Sequence, residues 1–261
     1  MLERTHPRVR GRKRFLRPRG SFYPTQLGAK LSAWLRLAAS TPNAGEYDVV
    51  VDVLNSNPTN QTDADRKWAA STAANGLPIA DSDGTDVIVW PVAASNNQVD
   101  NTGYALWMKL TGVAAANVSI IELAGGTSAT KLSMQVENAK ARATAYISGG
   151  NGRTLTSTGN VFSAGVWAFY RLAYVSSIGG DLCLKLYVNE VAVTGSYTNQ
   201  GAGGTLGVLP TVTGNILLGG QSNSDTPFFS PIGSFGPNIY CIAGDLTAAE
   251  GAALMAFDRP T

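Results

Sequence analysis

Hydrophobic and polar positions alternate with a period of two along much of this chain, the pattern of strands that lay one face on a core. In DLCLKLYVNEVAV, Leu182, Leu184, Leu186 and Val188 fall on one face and Cys183, Lys185 and Tyr187 on the other. In GVWAFYRLAYV, Trp167, Phe169, Ala173 and Val175 alternate with Ala168, Tyr170, Leu172 and Tyr174, so this strand is expected to be covered on both faces. YALWMKLTG, NVSIIELAGG, KLSMQVENAKARATAYI and NILLGG supply further strands. SGGNGRTLTSTGN, SYTNQGAGGTLG and QSNSDTPFFSPIGSFG are too polar and glycine-rich to pack internally, and read as loops. The stretch over about 40–75 is weakly patterned and reads as one strand followed by a long surface loop. One helix is expected at DLTAAEGAALMAF, where Thr247 and Glu250 have capping-box spacing and Pro260 lies beyond the end.

Composition agrees with this pattern. Glycine makes up 29 of 261 residues, which signals frequent turns, and glutamate and lysine are too scarce for a helical protein. No internal repeat is visible, and the length after the start suits a single large all-β domain. The pattern therefore predicts an all-β, two-layer antiparallel sandwich.

Charge changes the picture at one place. The whole chain has 20 basic and 18 acidic residues. The first twenty hold eight of the basic ones, Arg4, Arg8, Arg10, Arg12, Lys13, Arg14, Arg17 and Arg19, against the single acid Glu3. The rest of the chain is then net acidic. Like charges at this density, with Gly11, Pro18 and Gly20, favour an extended arm over a helix. The organisation read from the sequence is a basic arm over 1–22 and a β-domain over 23–261. The arm is not followed by the roughly 7–15 apolar residues of a secretory signal. Nowhere does the chain offer the roughly 18 apolar residues of a membrane span. Arginine forks suit carboxylate or phosphate, so the arm is either a solvated tail or a segment that orders on an acidic partner. Nucleic acid is the less favoured partner, because the acidic body offers no second basic face.

The order of several motifs resembles a known family. NGLPIADSDGTDVIVWP (75–91), YALWMKL, GVWAFYRLAYV, LCLKLYVNEVAV, NILLGG and FGPNIYCIAGDLTAAEGAALM follow one another as in concanavalin A-like, laminin-G-like jelly-roll domains. PTQLGAKLSAWLRLAAST is similar to the first strand of such domains in structural proteins of tailed-bacteriophage virions. The resemblance spans about residues 24–257 and implies a jelly-roll sandwich with one short C-terminal helix. Two positions depart from it. Glu190 stands where a hairpin glycine is usual, so a simple Asn-Gly turn is not expected there. Asp81 replaces an aromatic before the DGTD turn.

Candidate chemistry is sparse. Glycoside hydrolases on such folds need two carboxylates facing one cleft, and the six glutamates (Glu3, Glu46, Glu122, Glu137, Glu190, Glu250) are scattered. The only histidine, His6, lies in the arm, which removes Ser-His-Asp, Cys-His and histidine–metal sites from the body. No catalytic residue and no cofactor are expected. Asp81, Asp83 and Asp86 are hard oxygen ligands close together, but the segment reads equally well as a β-turn at Gly84, and no metal is assigned. Trp90 with Asn96, Asn97 and Gln98 is a candidate sugar platform, with Trp90 as a plain core residue the alternative. Asn60 and Asn117 match glycosylation triplets without an export signal beside them. Cys183 and Cys241 are expected in separate strands as free packed thiols.

These readings together lead to the expectation of a non-enzymatic virion component, in which the arm holds capsid, portal or tail subunits and the domain repeats in a symmetric homo-oligomer. Such a protein would assemble in the host bacterial cytoplasm and would not engage a membrane. The alternative is a carbohydrate-binding module that takes cell-surface glycans on its rim loops.

Overall fold

A computed structural model describes residues 22–47, 49–59, 68–82, 87–93, 100–112, 118–124, 130–148, 151–209, 215–219 and 232–261. The described strands, in chain order, begin with β1 (Leu31–Arg36), β2 (Glu46–Tyr47), β3 (Val51–Asp52), β4 (Trp68–Thr72), β5 (Pro78–Asp81) and β6 (Ile88–Trp90). The long central strands are β7 (Asn101–Leu110), β8 (Val118–Ala124), β9 (Thr130–Glu137), β10 (Lys140–Ser148), β11 (Asn151–Ser157) and β12 (Trp167–Val175). The chain closes with β13 (Leu184–Val188), β14 (Val191–Ala192), β15 (Gly195–Gln200), β16 (Ile216–Leu218), β17 (Ile232–Ile242) and helix α1 (Ala248–Ala256). All pairings are antiparallel. Ten strands form one sheet, with the path β14-β13-β12-β7-β17-β5-β4-β2 and β1 carrying β3 beside β17. Seven form the other, in the order β15-β11-β10-β9-β8-β16-β6. The protein is an all-β, two-layer antiparallel jelly-roll sandwich.

The layers meet in one large apolar cluster. Leu106, Met108, Leu172, Leu184 and Leu186 from the larger sheet face Ile121, Leu123, Leu132, Met134 and Val136 from the smaller. On β10 the inward residues are small, Ala141, Ala143 and Ala145, beside which the large Tyr170 also lies in the core. Its hydroxyl accepts from the Arg142 N–H at 3.0 Å and lies 2.9 Å from the Gln135 carbonyl. Burial of this ring pushes the Tyr170 pKa far above the usual tyrosine value, so the hydroxyl stays a donor that ties one sheet to the other.

The larger sheet is covered on its outer face as well. A second cluster holds Leu31, Trp34, Trp107, Phe169, Tyr240, Leu254 and Phe257, capped by α1 and by the segment from Phe22. Tyr23 packs edge-on against Trp34 and Phe257, each at 5.4 Å between ring centres. Strand β12 therefore has two covered faces, as its sequence predicts. Helix α1 starts as expected: Thr247 Oγ1 accepts from the Glu250 N–H at 3.3 Å, and Glu250 Oε2 accepts from the Thr247 N–H at 2.8 Å. Glu250 also receives Lys30 at 2.7 Å, which latches the start of the domain onto the helix.

A buried charge network lies on the same outer face. Arg171 has 1% of its side chain exposed and forks onto Glu190, with Nη2 2.8 Å and Nε 2.9 Å from the carboxylate oxygens. Its Nη1 reaches Asp245 at 2.7 Å, and its guanidinium lies 3.7 Å from the centre of the Tyr187 ring. Lys185 and the Tyr187 hydroxyl each reach Asp245 at 3.0 Å. Burial works against the Asp245 carboxylate, but the bonds from Arg171, Lys185 and Tyr187 outweigh it and hold its pKa below the usual value.

Several expectations are corrected. Asn189 and Glu190 both take left-handed backbone angles, φ 51° and 59°, so the hairpin keeps the geometry of a two-residue turn although Glu190 stands where glycine is usual. A non-glycine residue there is strained, and the forked bond to Arg171 offsets the strain. Gly251 of α1 sits directly on that carboxylate, where a β-carbon would collide with it. Leu182 is 64% exposed and Cys183 fully buried, opposite to the alternation, because Gly180–Cys183 is a 3-10 turn that breaks the strand period. Two stretches read as loops contain β11 and β15, edge-side strands whose core contacts come chiefly from Leu155 and Tyr197. The weak segment 40–75 holds β2, β3 and β4, anchored by Trp68 stacked on Phe235 at 4.3 Å. The initial part of QSNSDTPFFSPIGSFG lies outside the described residues, but its end begins β17.

Two outcomes follow from the charge network and the latch. Arg171→Met leaves Glu190 buried without its partner and is expected to lower stability by about 3–5 kcal/mol, whereas Val191→Thr, at a side chain 69% exposed, should stay within about 0.5 kcal/mol; urea unfolding checks both. The Lys30 ammonium, with the Thr247 backbone N–H, draws the Glu250 pKa from 4.5 down to about 2. A depressed folded-state pKa stabilises above the unfolded value and loses that contribution as the pH falls through the folded value. Thermal midpoints are therefore expected to hold above about pH 4.5 and to fall towards pH 2, with a shallower fall in Glu250→Gln.

Candidate functional site

The candidate site lies on the outer face of the ten-stranded sheet, beside the part that α1 covers. Its floor is a row across four strands, fixed by register. Trp167 on β12 stands opposite Lys109 on β7, Lys109 opposite Ser234 on β17, and Ser234 opposite Asp81 on β5. Each of the four faces outward because its neighbours are core residues: Ala168, Met108, Leu110, Phe235 and Ala80. Neighbouring strands lie about 4.8 Å apart, so the row is roughly 14 Å long. It forms the floor of a concavity of about 480 Å³, whose walls include Ser71, Thr72, Thr111 and Thr261.

Geometry within the row is specific. The Lys109 ammonium lies 5.0 Å from the centre of the Trp167 ring, a cation–π distance that orients the lysine along the floor. Ser234 donates its hydroxyl to Asp81 Oδ1 at 2.6 Å, which fixes that carboxylate. The wall near Thr261 is set by two bonds from the turn after β4. The Ala74 N–H donates to the Thr261 carbonyl at 2.8 Å, and the Asn75 amide donates to the Arg259 carbonyl at 2.7 Å. The groove thus offers an aromatic face, a cation, a fixed carboxylate and several hydroxyls. Such a set hydrogen-bonds and stacks a polar ligand. Its described lining contains one side-chain carboxylate, Asp81, while two-carboxylate hydrolysis needs a pair.

The residues singled out in the sequence fall in several places. Trp90 is fully buried in the core and donates its indole N–H to the Asn57 carbonyl at 2.8 Å, so it presents no ring face to a ligand. It is the core residue of the alternative reading. Asn96, Asn97 and Gln98 lie outside the described residues, as do Asp83 and Asp86. Of that aspartate group only Asp81 is described, in the groove. Among the described residues no cluster of three or more metal-ligating side chains occurs. Arg4, Arg8, Arg10, Arg12, Lys13, Arg14, Arg17 and Arg19 lie outside the described residues. Cys183 and Cys241 are buried thiols outside any disulfide, and burial pushes both up, that of Cys241 strongly, so neither is a reactive thiolate.

Sequence reasoning passed over Lys109 and Ser234. A signal was present: Lys109 is a lone cation inside the otherwise apolar YALWMKL, where a strand covered on both faces has no use for one. Trp167 was read as one face of a covered strand, which holds for Phe169 but not for Trp167, since the latter stands at the edge of the outer cluster.

No protein-family model and no curated protein sequence matches the chain. Solved structures do. A complex of Trypanosoma rangeli sialidase with sialic acid is 18% identical over 87% of this chain and 32% of that one, with a TM-score of 0.57. The receptor-binding domain of botulinum neurotoxin mosaic serotype C/D is 13% identical over 87% of this chain and 50% of that one, at 0.55. Domain 4 of a GH43 extracellular arabinanase from Geobacillus stearothermophilus, in complex with arabinotriose, is 15% identical over 86% of this chain and 98% of that one, at 0.52. The chain thus spans about a third of the sialidase and half of the toxin domain, and nearly the whole of the arabinanase domain. At these identities the likeness is one of fold, that of a jelly-roll-like β-sandwich.

Proposed function

We propose that the domain is a non-catalytic carbohydrate-binding module that takes a glycan in the Trp167–Lys109–Ser234–Asp81 groove. The observation that carries this reading is the row itself: an aromatic ring, a cation, a hydroxyl and a fixed carboxylate at strand spacing on the floor of one concavity. Sugars present apolar C–H faces and rings of hydroxyls that both donate and accept. Trp167 meets the first, and Lys109, Ser234 and Asp81 meet the second. The single side-chain carboxylate in the described groove favours binding over hydrolysis. The arabinanase domain, alike along nearly its whole length, was solved with arabinotriose. In a glycan-array screen followed by calorimetry, at least one oligosaccharide is expected to bind. Trp167→Ala should weaken it about tenfold, roughly 1.4 kcal/mol, with a cooperative unfolding transition retained and the sugar not cleaved. A blank screen, or full affinity in Trp167→Ala, refutes the groove.

The virion reading rests on a different observation, the eight basic residues among the first twenty ahead of an acidic body. In this second proposal the arm holds an acidic groove on a capsid, portal or tail subunit, and symmetric assembly multiplies weak attachments. Replacing Arg10, Arg12, Lys13 and Arg14 with Ser is expected to release the protein from particles with the β-domain still folded. The wild type should release as the Debye length shrinks from about 10 Å at 0.1 M salt to about 3 Å at 1 M. Incorporation of the variant at wild-type occupancy refutes the anchor.

A further inference from the structure

The groove is polarised along its floor. Lys109 and Trp167 stand on β7 and β12 at one end, and Asp81 stands on β5, two strands beyond the lysine. Two strand spacings separate the backbones of Lys109 and Asp81 by roughly 10 Å. The wall at Thr261 belongs to the Asp81 end, because the turn after β4 holds it and β4 pairs with β5. The charged groups of the described lining are therefore one ammonium beside the aromatic ring and, at the far end, the Asp81 carboxylate and the main-chain carboxylate of Thr261. The nearby Arg259 guanidinium is not among them, since it lies over the Trp107 ring at 5.4 Å.

Lys109 is the unspent member of this set. It is half-buried, and among the described residues its ammonium makes no ion pair and no hydrogen bond. Its contact is the face of Trp167, 5.0 Å from the ring centre. That contact places the nitrogen but uses none of its three N–H donors. Asp81 does not pair with the lysine and instead holds the hydroxyl of the buried Ser234 at 2.6 Å. Strand preference gives no reason for the residue either, because lysine is depleted in strands and aromatic or β-branched side chains suit them better. A cation set against an aromatic face, with its donors open towards a concavity, has the arrangement of a site for a ring that carries an anion.

We propose that the groove selects a glycan bearing a single carboxylate, a uronic acid residue, and that Lys109 is the residue that sets this specificity. The selectivity presupposes that the groove takes a glycan. A uronate carries its carboxylate at the edge of the sugar ring, so the ring lies on Trp167 while the carboxylate accepts from Lys109. Charge-assisted bonds are roughly twice as strong as neutral ones, which favours the acid over the corresponding uncharged sugar. Hydroxyls further along the ligand donate to Asp81, whose carboxylate Ser234 fixes. The two carboxylates at that end oppose a second negative charge, so a sugar with one acid group is preferred to a polyanion. A cationic ligand would meet Lys109 beside the ring.

The test is a calorimetric titration of the full chain with cellobiouronic acid and with xylotriose carrying one glucuronate, each compared with its uncharged methyl ester. At least one acid is expected to bind about tenfold more tightly than its ester at low salt. That ratio should fall towards one at about 1 M salt, where the Debye length is about 3 Å. Lys109→Met, which keeps the length of the stem, should bring acid and ester to within about twofold of each other, whereas Lys109→Arg keeps the preference for the acid. Cooperative thermal unfolding checks that each variant is folded, and the wild-type salt series decides the question if Lys109→Met is not. The selectivity is refuted if the wild type binds ester as tightly as acid, if neither acid binds, or if folded Lys109→Met keeps the preference. In each of those cases, binding of the ester or of another neutral sugar that Trp167→Ala weakens leaves the groove itself standing, and no such binding removes both.

Discussion

A guanidinium with 1% of its side chain exposed has to be neutralised where it stands, and Arg171 ties together the parts that do so. Glu190 comes from the β13–β14 turn, Asp245 from the segment before α1, and the Tyr187 ring from the neighbouring strand. The network balances two cations, Arg171 and Lys185, with two anions, Glu190 and Asp245. Breaking one member of such a set costs far more than the set contributes in net terms, because the remaining charges stay buried. This constraint holds Glu190 in its left-handed conformation, and through Gly251 it sets where α1 lies against the sheet.

The position of α1 in turn shapes the outer face. The helix and the chain start cover the region around Trp34, Trp107 and Phe169 with apolar side chains. Past the edge of that cover, the same sheet continues as Trp167, Lys109, Ser234 and Asp81, and the groove begins. Strand β17 serves both regions. Its first part pairs with β5 under the groove and its second with β1 under the helix. The pairing shifts around Gly236 and Pro237, where a β-carbon on residue 236 would collide with Trp107 and proline has no N–H to offer the ladder.

The proposed groove has its floor on strands inside a sheet. Side chains on paired strands hold their spacing through the backbone ladder, so a ligand meets groups already in position and little ordering is left for binding to drive. In the groove the carboxylate of Asp81 is fixed by Ser234.

The architecture was legible in the sequence wherever periodicity was strong. DLCLKLYVNEVAV, GVWAFYRLAYV and KLSMQVENAKARATAYI alternate because one or both faces enter a core, and Thr247 with Glu250 announces a helix start by local chemistry alone. Strands with few apolar residues, such as β11 and β15, were hidden because tertiary pairing, not local preference, holds them. Cys183 and Leu182 exchanged faces because a 3-10 turn shifted the period by one. The groove was hidden for another reason. Trp167, Lys109, Ser234 and Asp81 are distant in the chain, and only strand order and register make them a row. Sequence by itself determined which residues seek a core and where a helix can begin, since these depend on neighbours a few positions away. Which polar side chains share a face was decided by the tertiary structure alone, because that depends on pairings between strands far apart in the chain.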